Sequence, residues 1–444
     1  MASSSTLGGA EGERFFCSWC RWALRAALDA WPGAGEAAGA GVDPARHGAP
    51  GCAAEREGSL DVVPWSIACT GTPYSAVERE GRVPLVAAVA AAAAGDACPP
   101  ISVKEQQDPN PDFPTVKFPN PEEKQCLDLS KRLAEQNGVK LVLVNDPDAD
   151  RLAVAEYDDD SKSWKVFTGN EMGSLLGWWI LNQYYSHNEA NEEDVYVLCS
   201  FVSSKMLQAI AKDKAQFVET LTGFKWMGNT TLLLLQQGKI PLFAYEEAIG
   251  YMCHHRVPDK DGVSAAVQVA SLASNLYAKG SSLLKHLHNL YKEYGYHVSY
   301  NSYFTFDDPS VISRIFSRIR NYGEPNTYPK VVGSSKVTFI NDFTAGVRVP
   351  EESTKSAHLN VIGTGLDTDY TSGEMVSFTC TSPAGVVRII VRTSGTEPKI
   401  KYYTELVTDA DTTTKQEAKK AELEKVVKEF IEELLQPKQN GLIG

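Results

Sequence analysis

From residue 101 onward, short apolar segments alternate with segments of helical periodicity. Residues 140–145 and 195–200 are apolar and β-branched without regular polar alternation, a pattern typical of strands that are buried on both faces. Residues 127–137 and 171–185 instead place apolar side chains at helical spacing. This rhythm recurs through the middle of the chain and predicts α/β layers built on mainly parallel sheets.

The last third of the chain has a different pattern. Several strand-like segments follow one another, and residues 415–435 then place apolar side chains on one face of a helix. Residues 412–414 are threonines that offer an N-cap, and Pro437 follows the helix end. We therefore expect tandem α/β domains with mixed sheets, followed by a separate α+β unit. The strands predicted in that unit are residues 335–340, 374–380, 386–391 and 399–405.

The first hundred residues contain much alanine and glycine and little strand-like periodicity. Such a composition buries little apolar surface for each ordered residue, so residues 1–100 are expected to form an atypical, partly disordered region. The longest apolar run, residues 83–94, is too short to cross a bilayer. Residues 1–14 lack a basic segment followed by an apolar one, so no secretory signal is expected.

The overall charge excludes some classes of partner. The 444 residues are 43% hydrophobic and carry 43 basic against 56 acidic side chains, a net charge of −13. Since nucleic acids and anionic membranes select basic surfaces, neither is an expected partner. The nine cysteines do not suggest a disulfide framework, and Cys17 and Cys20 have no second pair at zinc-site spacing. A reducing compartment, the cytoplasm, is therefore expected.

A cluster of aspartates follows the predicted strand at residues 140–145. Asp146, Asp148 and Asp150 alternate along the chain, so an extended backbone would bring their side chains to one side. At the carboxyl end of a strand, where open α/β sheets bind ligands, these carboxylates would suit Mg²⁺. The alternative is a solvated acidic turn, which is our interpretation of the similar run at residues 158–160.

A second polar segment, residues 392–399, directly follows the predicted strand at residues 386–391. It supplies an arginine fork, hydroxyl donors and a glycine that allows close approach of the backbone, a combination that suits a phosphate group. An ordinary polar turn is the alternative, because serine, glycine and proline also form turns.

A pair of acids ends another apolar segment. Glu246 and Glu247 could accept hydrogen bonds from sugar hydroxyls, although solvated acids at a strand end are at least as good an interpretation. Lys225 and Lys260 lie in neighbouring polar segments on either side.

In order and spacing, these segments resemble the α-D-phosphohexomutase family, and within it the phosphopentomutase and glucose-1,6-bisphosphate synthase branch. The resemblance covers residue 101 to the C-terminus. It implies a heart-shaped architecture in which three related α/β domains and a C-terminal domain enclose a central cleft. The implied division is an atypical region 1–100, a metal-binding α/β domain 101–220, a sugar-binding α/β domain 221–325 and a phosphate-binding α+β domain 326–444. The motifs that carry the resemblance are Asp146-Pro-Asp-Ala-Asp-Arg151, Thr222-Gly-Phe-Lys-Trp226, Glu246-Glu-Ala-Ile-Gly250, Lys260-Asp-Gly262 and Arg392-Thr-Ser-Gly-Thr-Glu-Pro-Lys399.

The family reaction moves a phosphoryl group between two hydroxyls of one sugar, by way of a phosphoserine and a bisphosphorylated sugar. The resemblance implies Mg²⁺ as the cofactor, with Arg151 and Lys260 as catalytic basic residues near the transferred group. It also implies a phosphorylated sugar as substrate, a bisphosphorylated sugar as activator, and a monomeric protein. The implied metal ligands are Asp146, Asp148 and Asp150, and the implied substrate contacts are Gly223, Lys225, Glu246, Glu247, Arg392, Thr393, Ser394, Gly395, Thr396 and Lys399.

One family motif does not occur in the sequence, namely the phosphoserine loop Thr-Ala-Ser-His-Asn-Pro. We therefore expect a mutase for pentose 1-/5-phosphates and glucose 1-/6-phosphates whose activity is impaired, and we name no nucleophile. Synthesis of glucose 1,6-bisphosphate from 1,3-bisphosphoglycerate and a non-catalytic binding role are the alternatives. Ala248 replaces a serine of many relatives, and the missing hydroxyl predicts relaxed selectivity toward pentose phosphates.

Overall fold

A computed structural model describes the backbone of residues 87–90 and 361–362, together with residues 101–108, 110–350, 373–395, 397–409 and 412–444. Predictions for the rest of residues 1–100, and for Thr396, lie outside the described residues. Three sheets organise the described part of the chain, and two large apolar cores fill the space between the sheets and their helices. The fold is mixed α/β, as predicted.

The first sheet is antiparallel throughout, so the prediction of a parallel arrangement is wrong here. β3 (Leu141–Asn145) is buried at every position and pairs with β4 (Leu152–Asp158), with Asn145 opposite Leu152 at the turn. The aspartate segment is therefore a hairpin loop between antiparallel strands rather than the carboxyl end of a strand in a parallel sheet. The other strands are β1 (Ala87–Ala90), β2 (Ile101–Ser102) and β5 (Ser163–Val166), and the order in the sheet is β2-β1-β3-β4-β5.

A strand lies inside the alanine-rich run, where the sequence pattern predicts none. The backbone of β1 is antiparallel to β3, with Ala87 opposite Val144 and Ala90 opposite Leu141. Alanine has a low strand propensity, but pairing with a buried central strand decides the conformation here. The expectation of a partly disordered region 1–100 stays a prediction, and these four residues are a strand within it.

The second sheet contains the parallel strands. Four of its strands pair in parallel, and the last strand forms an antiparallel hairpin in which Glu246 lies opposite Gly250. The predicted boundary after residue 220 falls within this sheet, because strands on both sides of that boundary pair with the same central strand. In the order of the sheet, the strands are β15 (Val361–Ile362), β7 (Gln216–Thr220), β6 (Val195–Ser200), β8 (Ile240–Glu246) and β9 (Gly250–Met252).

The third sheet lies in the C-terminal part and is antiparallel throughout. Its long strands match the predicted segments 374–380, 386–391 and 399–405, with ends that differ by up to three residues. Side chains of the last helix, including Leu423 and Phe430, are fully buried against this sheet, as the predicted apolar face requires. The strands are β10 (Tyr296–Val298), β11 (Ser302–Thr305), β12 (Val331–Val332), β13 (Ser335–Asp342), β14 (Val347–Val349), β16 (Met375–Ser382), β17 (Gly385–Thr393) and β18 (Lys399–Thr408).

Side-chain caps fix where several helices begin. The helix after Thr168 starts with a capping box, in which the Thr168 hydroxyl accepts from the Glu171 N–H at 3.2 Å and the Glu171 carboxylate accepts from the Thr168 N–H at 2.8 Å. Four described helices, α1, α4, α7 and α8 below, have no counterpart in the sequence prediction. No described helix is both long and apolar enough to cross a membrane. The helices are α1 (Lys104–Gln107), α2 (Asp128–Gln136), α3 (Gly169–His187), α4 (Met206–Ala211), α5 (Phe224–Gln236), α6 (Gly262–Ala278), α7 (Leu283–Tyr294), α8 (Ser310–Arg320) and α9 (Thr413–Leu435).

A buried carboxylate joins the first sheet to α7. Glu156 of β4 is 1% exposed and accepts hydrogen bonds from the Tyr277 hydroxyl at 2.8 Å and from the N–H groups of Leu283 and Leu284 at 2.9 Å each. These N–H groups have no partner within the helix, because they belong to its first turn. Glu156 therefore acts as a cap that comes from another element.

Replacing Glu156 with alanine should destabilise the protein. Glu156→Ala leaves the buried Leu283 N–H and the partly buried Leu284 N–H without an acceptor, and such a loss costs about 1–3 kcal/mol for a buried group. We expect the free energy of unfolding, measured by urea denaturation, to fall by at least about 2 kcal/mol. The control Asp159→Ala removes only an exposed ion pair with Lys140 and should leave the free energy of unfolding almost unchanged. Equal losses for the two variants would contradict the assignment of Glu156 as a cap.

Candidate functional site

The aspartate loop, Asp146 to Arg151, is held in a tight shape by its own backbone. Ala149 has a left-handed conformation with φ of 58°, and its N–H donates to the Asp146 carbonyl oxygen at 3.0 Å. The Arg151 N–H donates to Oδ1 of Asp146, also at 3.0 Å. As a result, one carboxylate oxygen from each of Asp146, Asp148 and Asp150 lies within 4.8 Å of the others.

This loop concentrates negative charge in a partly buried place. Burial raises the pKa of Asp146 to about 7, and the charges of Asp150 and Asp148 act in the same direction. Among the described residues, none donates a hydrogen bond to the buried Oδ1 of Asp150. Ligands on opposite sides of Mg²⁺ are about 4.2 Å apart, so three oxygens at this spacing fit a small divalent cation after a slight contraction. The residues therefore fit the cofactor that the sequence predicts.

The Lys260 segment docks directly on the aspartate loop. Nζ of Lys260 lies 3.0 Å from Oδ2 of Asp150, and the Gly262 N–H donates to the Ala149 carbonyl oxygen at 3.0 Å. The Asp261 carboxylate accepts from two N–H groups in the first turn of α6, at 3.0 and 3.1 Å. The cap fixes the start of α6, and the start of α6 in turn fixes Lys260 beside the aspartates.

Glycine is required where these segments meet. A Cβ on Gly262 would lie 2.3 Å from the Arg151 carbonyl oxygen and 2.4 Å from Nδ2 of Asn145, which already donates to that carbonyl at 2.7 Å. A Cβ on Gly250 would likewise lie 2.4 Å from Cδ of Lys260. At Gly262 a larger residue would push the segments apart because backbone atoms stand in the way, and at Gly250 it would displace the Lys260 side chain.

The β8–β9 hairpin forms the third side of the site. The Leu152 N–H donates to the Ile249 carbonyl oxygen at 3.0 Å, which ties the hairpin to the first sheet. Burial raises the pKa of Glu246 to about 7, and the charge of Glu247 adds to this effect, whereas Lys260 opposes it. A carboxyl group in this position can hold or release a proton near neutral pH.

Two basic side chains balance the acids. Burial alone would lower the pKa of Lys260, but its hydrogen bond to Asp150 and the neighbouring acids raise the pKa above its usual value, so the ammonium stays charged. Nε of Arg151 lies 3.7 Å from oxygens of both Asp146 and Asp150. The site thus holds two fixed cations beside a group of carboxylates.

Glu122 also faces this site, and the sequence interpretation missed it. Its Oε2 lies 3.9 Å from Nη1 of Arg151. The side chain of Asn120 accepts from the Glu122 N–H at 3.1 Å, which forms a local turn. The Pro-Asn-Pro-Glu run at residues 119–122 was a signal for that turn, but nothing in the sequence indicates which loop it approaches.

Glu247 is held by two buried serines that the sequence interpretation also missed. Its Oε2 accepts from the Ser200 hydroxyl at 3.0 Å and from the Ser203 hydroxyl at 3.3 Å, and the two hydroxyl oxygens are 2.7 Å apart. Neither serine belongs to a recognisable motif. Their contact with Glu247 depends on the parallel pairing of β6 with β8, which the spacing of residues does not reveal.

The predicted phosphate site lies where β17 ends. Nη2 of Arg392 donates to the Tyr403 hydroxyl at 3.3 Å. The Glu374 N–H donates to the Thr393 hydroxyl oxygen at 2.9 Å, and the Thr393 N–H donates to the Glu374 carbonyl oxygen at 2.9 Å. Because the Thr393 oxygen accepts that bond, its own O–H can point toward a ligand.

An arginine behind the predicted phosphate site fixes Glu374 in turn. Nη1 of Arg320 donates to Oε1 of Glu374 at 2.9 Å, while its Nε and Nη2 donate to the buried carboxylate of Asp342 at 2.7 and 3.1 Å. Such two-pronged contacts between arginine and carboxylate define geometry as well as charge. The strand end that holds Thr393 is therefore rigidly placed.

Several predicted substrate residues are not brought into these contacts. Nζ of Lys399 lies 2.6 Å from Glu397 and over the ring of Tyr303. Lys225 is exposed and lies over the Trp226 ring. Gly223 and Gly395 are exposed, and Gly223 precedes α5 with φ of 104°. The Ser394 N–H donates to the Lys399 carbonyl oxygen at 2.9 Å.

The pKa of Tyr403 is affected by charges from both the β8–β9 hairpin and the predicted phosphate site. Burial raises its pKa, the charge of Glu247 acts in the same direction, and Arg392 opposes both. Glu247 of the hairpin and Arg392 of the C-terminal sheet are therefore both close enough to influence one phenol group.

Family models match two segments that contain most strands of the first two sheets. Residues 86–159 match the second α/β/α domain of phosphoglucomutase/phosphomannomutase, and residues 168–294 match the third. Through these segments, the chain belongs to the phosphoglucomutase/phosphomannomutase family. The resemblance inferred from the motifs is thereby confirmed, and the first match begins just before β1.

Curated relatives extend the similarity over most of the chain. Phosphopentomutase of Homo sapiens is 48% identical over 351 residues, which are 78% of this chain and 55% of that protein. Glucose 1,6-bisphosphate synthase of Homo sapiens is 46% identical over 352 residues, 78% of this chain and 54% of that protein. Phosphoribomutase of Saccharomyces cerevisiae is 38% identical over 320 residues, 69% and 49% respectively. The chain spans about half the length of the curated relatives it matches.

A solved structure supports the fold. The phosphoglucomutase parafusin of Paramecium, in an open form, aligns with 76% of this chain and 53% of its own, with a TM-score of 0.50 and 17% identity. At this identity the likeness shows the fold alone, and it agrees with the predicted fold class.

The affinity of the aspartate loop for Mg²⁺ should rise with pH. Asp146 has its pKa raised to about 7 without a metal ion, so a proton must leave before the carboxylate can act as a ligand. Below pH 7 we expect the affinity to fall by up to about tenfold for each pH unit, and above pH 8 to level off. Calorimetric titration with MgCl₂ between pH 6 and 8 measures this. An affinity that does not change over that range would contradict the expectation.

Proposed function

We propose that this chain binds a phosphorylated sugar together with Mg²⁺, as part of a phosphosugar mutase. The observation that carries the proposal is the convergence of three segments from separate parts of the fold. The aspartate loop, Lys260 and the Glu246 hairpin meet at contacts of about 3 Å, and a side chain at Gly262 would clash with the backbone of Arg151. Such a dense group of charged residues is costly for the fold unless a ligand uses it.

We assign the metal to Asp146, Asp148 and Asp150. Asp150 could ligate through Oδ1, which has no hydrogen-bond donor among the described residues, while its Oδ2 keeps the contact with Lys260. When bound, Mg²⁺ would offset negative charge on a phosphoryl group during transfer. Lys260 and Arg151 would contribute further fixed positive charge at the same place.

We assign the sugar to the β8–β9 hairpin and the non-transferring phosphate to the end of β17. Glu246 and Glu247 would accept hydrogen bonds from sugar hydroxyls, and the serines behind Glu247 would fix its orientation. Arg392 and the Thr393 hydroxyl would hold the phosphate.

Pentose 1-/5-phosphates are the preferred substrates in this proposal, with glucose 1-/6-phosphates as further substrates. The relatives described as phosphopentomutase and phosphoribomutase support this choice, and Ala248 offers no hydroxyl beside Glu247. A bisphosphorylated sugar would serve as activator. The four described cysteines are unpaired, which suits the reducing cytoplasm.

Calorimetry with ribose 5-phosphate, with and without MgCl₂, tests both the sugar-phosphate assignment and the metal assignment. Arg392→Ala should weaken sugar-phosphate binding by about 10- to 100-fold, the loss expected for a charged hydrogen-bonding partner. Asp148→Asn should weaken Mg²⁺ binding by at least about tenfold.

The matched controls are Arg314→Ala and Asp159→Asn, both on the exposed surface, and neither should change either affinity. If inorganic phosphate binds as tightly as ribose 5-phosphate, the sugar assignment fails. If Mg²⁺ binds Asp148→Asn normally, the metal assignment fails.

Glucose 1,6-bisphosphate synthesis is the second candidate function, favoured by the 46% identical relative. The two activities differ in the phosphoryl donor. We expect conversion of ribose 1-phosphate to ribose 5-phosphate, with Mg²⁺ and a trace of sugar bisphosphate, at a rate far below that of an intact mutase. Product formed from glucose 1-phosphate only when 1,3-bisphosphoglycerate is present would favour the synthase instead. No product from either mixture would leave a binding protein.

A further inference from the structure

The turn that follows β6, residues 201–205, is held by a carboxylate of the C-terminal sheet. Glu405 of β18 accepts from the Lys205 N–H with its two oxygens at 3.0 and 3.1 Å, and it also accepts from the Ser204 hydroxyl. Nδ1 of His297 lies 3.2 Å from the same carboxylate. Glu405 is 8% exposed, so these contacts replace water almost completely.

A neighbouring arginine holds the other end of the same turn. Arg388 lies directly opposite Glu405 in the pairing of β17 with β18. Its Nη2 donates to the Phe201 carbonyl oxygen at 2.5 Å, and its guanidinium lies 4.0 Å from the centroid of the Phe201 ring. One cross-strand pair of the C-terminal sheet therefore fixes both ends of a turn that belongs to the parallel sheet.

Ser203, in the middle of this turn, contacts Glu247. The Ser203 hydroxyl, which is between these two ends, donates to Oε2 of Glu247 at 3.3 Å, and it lies 2.7 Å from the Ser200 hydroxyl, which donates to the same oxygen at 3.0 Å. Both serines are at most 2% exposed. A shift of the turn would break these hydrogen bonds, because their strength depends steeply on distance and angle.

We propose that Glu405 is a positioning residue that fixes the orientation of Glu247 through the turn 201–205. The inference rests on the proposed function, in which Glu247 contacts the sugar. Sugar recognition would then depend on the C-terminal sheet being docked, although Glu405 itself touches no ligand. The same sheet carries Arg392, so one rigid element would place both the phosphate contact and the sugar contact.

Glu405→Gln is the test variant, because the amide keeps the size of the side chain but turns one acceptor into a donor that faces existing donors. Glu156→Gln is the matched control, since Glu156 is also a buried carboxylate, caps α7 and makes none of these contacts. Ser203→Ala removes only the hydroxyl contacts with Glu247 and Ser200 and should fold normally even if Glu405→Gln does not.

Hydrogen exchange of the ligand-free protein gives the first readout. We expect amide exchange in residues 244–252 to become at least about tenfold faster in Glu405→Gln and in Ser203→Ala, since local opening follows the loss of holding contacts. Glu156→Gln should leave that segment unchanged. Unchanged exchange of residues 244–252 in both test variants would overturn the proposal, whether or not the protein binds a sugar.

Ribose 5-phosphate binding in the presence of MgCl₂ gives the second readout. Glu405→Gln should weaken binding about as much as Glu247→Gln, and the double variant should be no weaker than Glu247→Gln alone, because both changes act through one contact. Losses that multiply in the double variant would overturn the positioning role. If the unaltered protein binds ribose 5-phosphate no better than inorganic phosphate, the proposed function fails, and hydrogen exchange still decides the role of Glu405.

Discussion

The candidate site depends on one backbone contact, the hydrogen bond from the Gly262 N–H to the Ala149 carbonyl oxygen. It joins the tip of the aspartate loop to the first residue of α6, and it exists only because residue 262 has no side chain. This contact also places Lys260, two residues earlier in the chain, beside Asp150. Without it, the aspartates would form an ordinary acidic hairpin loop in water. The geometry of the charges is therefore set by backbone packing and not by the charges themselves.

Local positive charges at the site oppose the overall negative charge of the chain. The chain is acidic overall, and the site itself gathers several carboxylates, so a phosphorylated ligand would be repelled by the average field. Lys260 and Arg151 reverse the sign locally, and both already lie within 4 Å of Asp150. A divalent cation in the aspartate loop would add to the same reversal. Short-range positive charge inside a negative molecule favours small, highly charged ligands over extended polyanions such as nucleic acids.

Local patterns in the sequence predict the elements well and their assembly less well. The amphipathic face of α9 and the apolar β3 need only neighbours in sequence to be recognised, and both are found as predicted. The antiparallel direction of the first sheet and the strand formed by Ala87–Ala90 depend on partners distant in sequence, so local propensity misleads. The same reason decides which site residues can be predicted from the sequence and which cannot. The aspartates lie together within one loop, whereas Glu122 and Ser203 enter the site through contacts that no motif records.

The C-terminal sheet shows how such distant contacts can still be rigid. Arg388 and Arg392 lie four residues apart in β17, so they share one face of the strand at a separation of about 13 Å. Arg388 is fastened to the turn 201–205, while the strand end next to Arg392 is braced from behind by Arg320 through Glu374. Because the strand between them is regular, the distance between these two fixed points is constant. The distance from Glu247 to the predicted phosphate site is therefore determined by strand geometry, and a ligand that spans both must match that length.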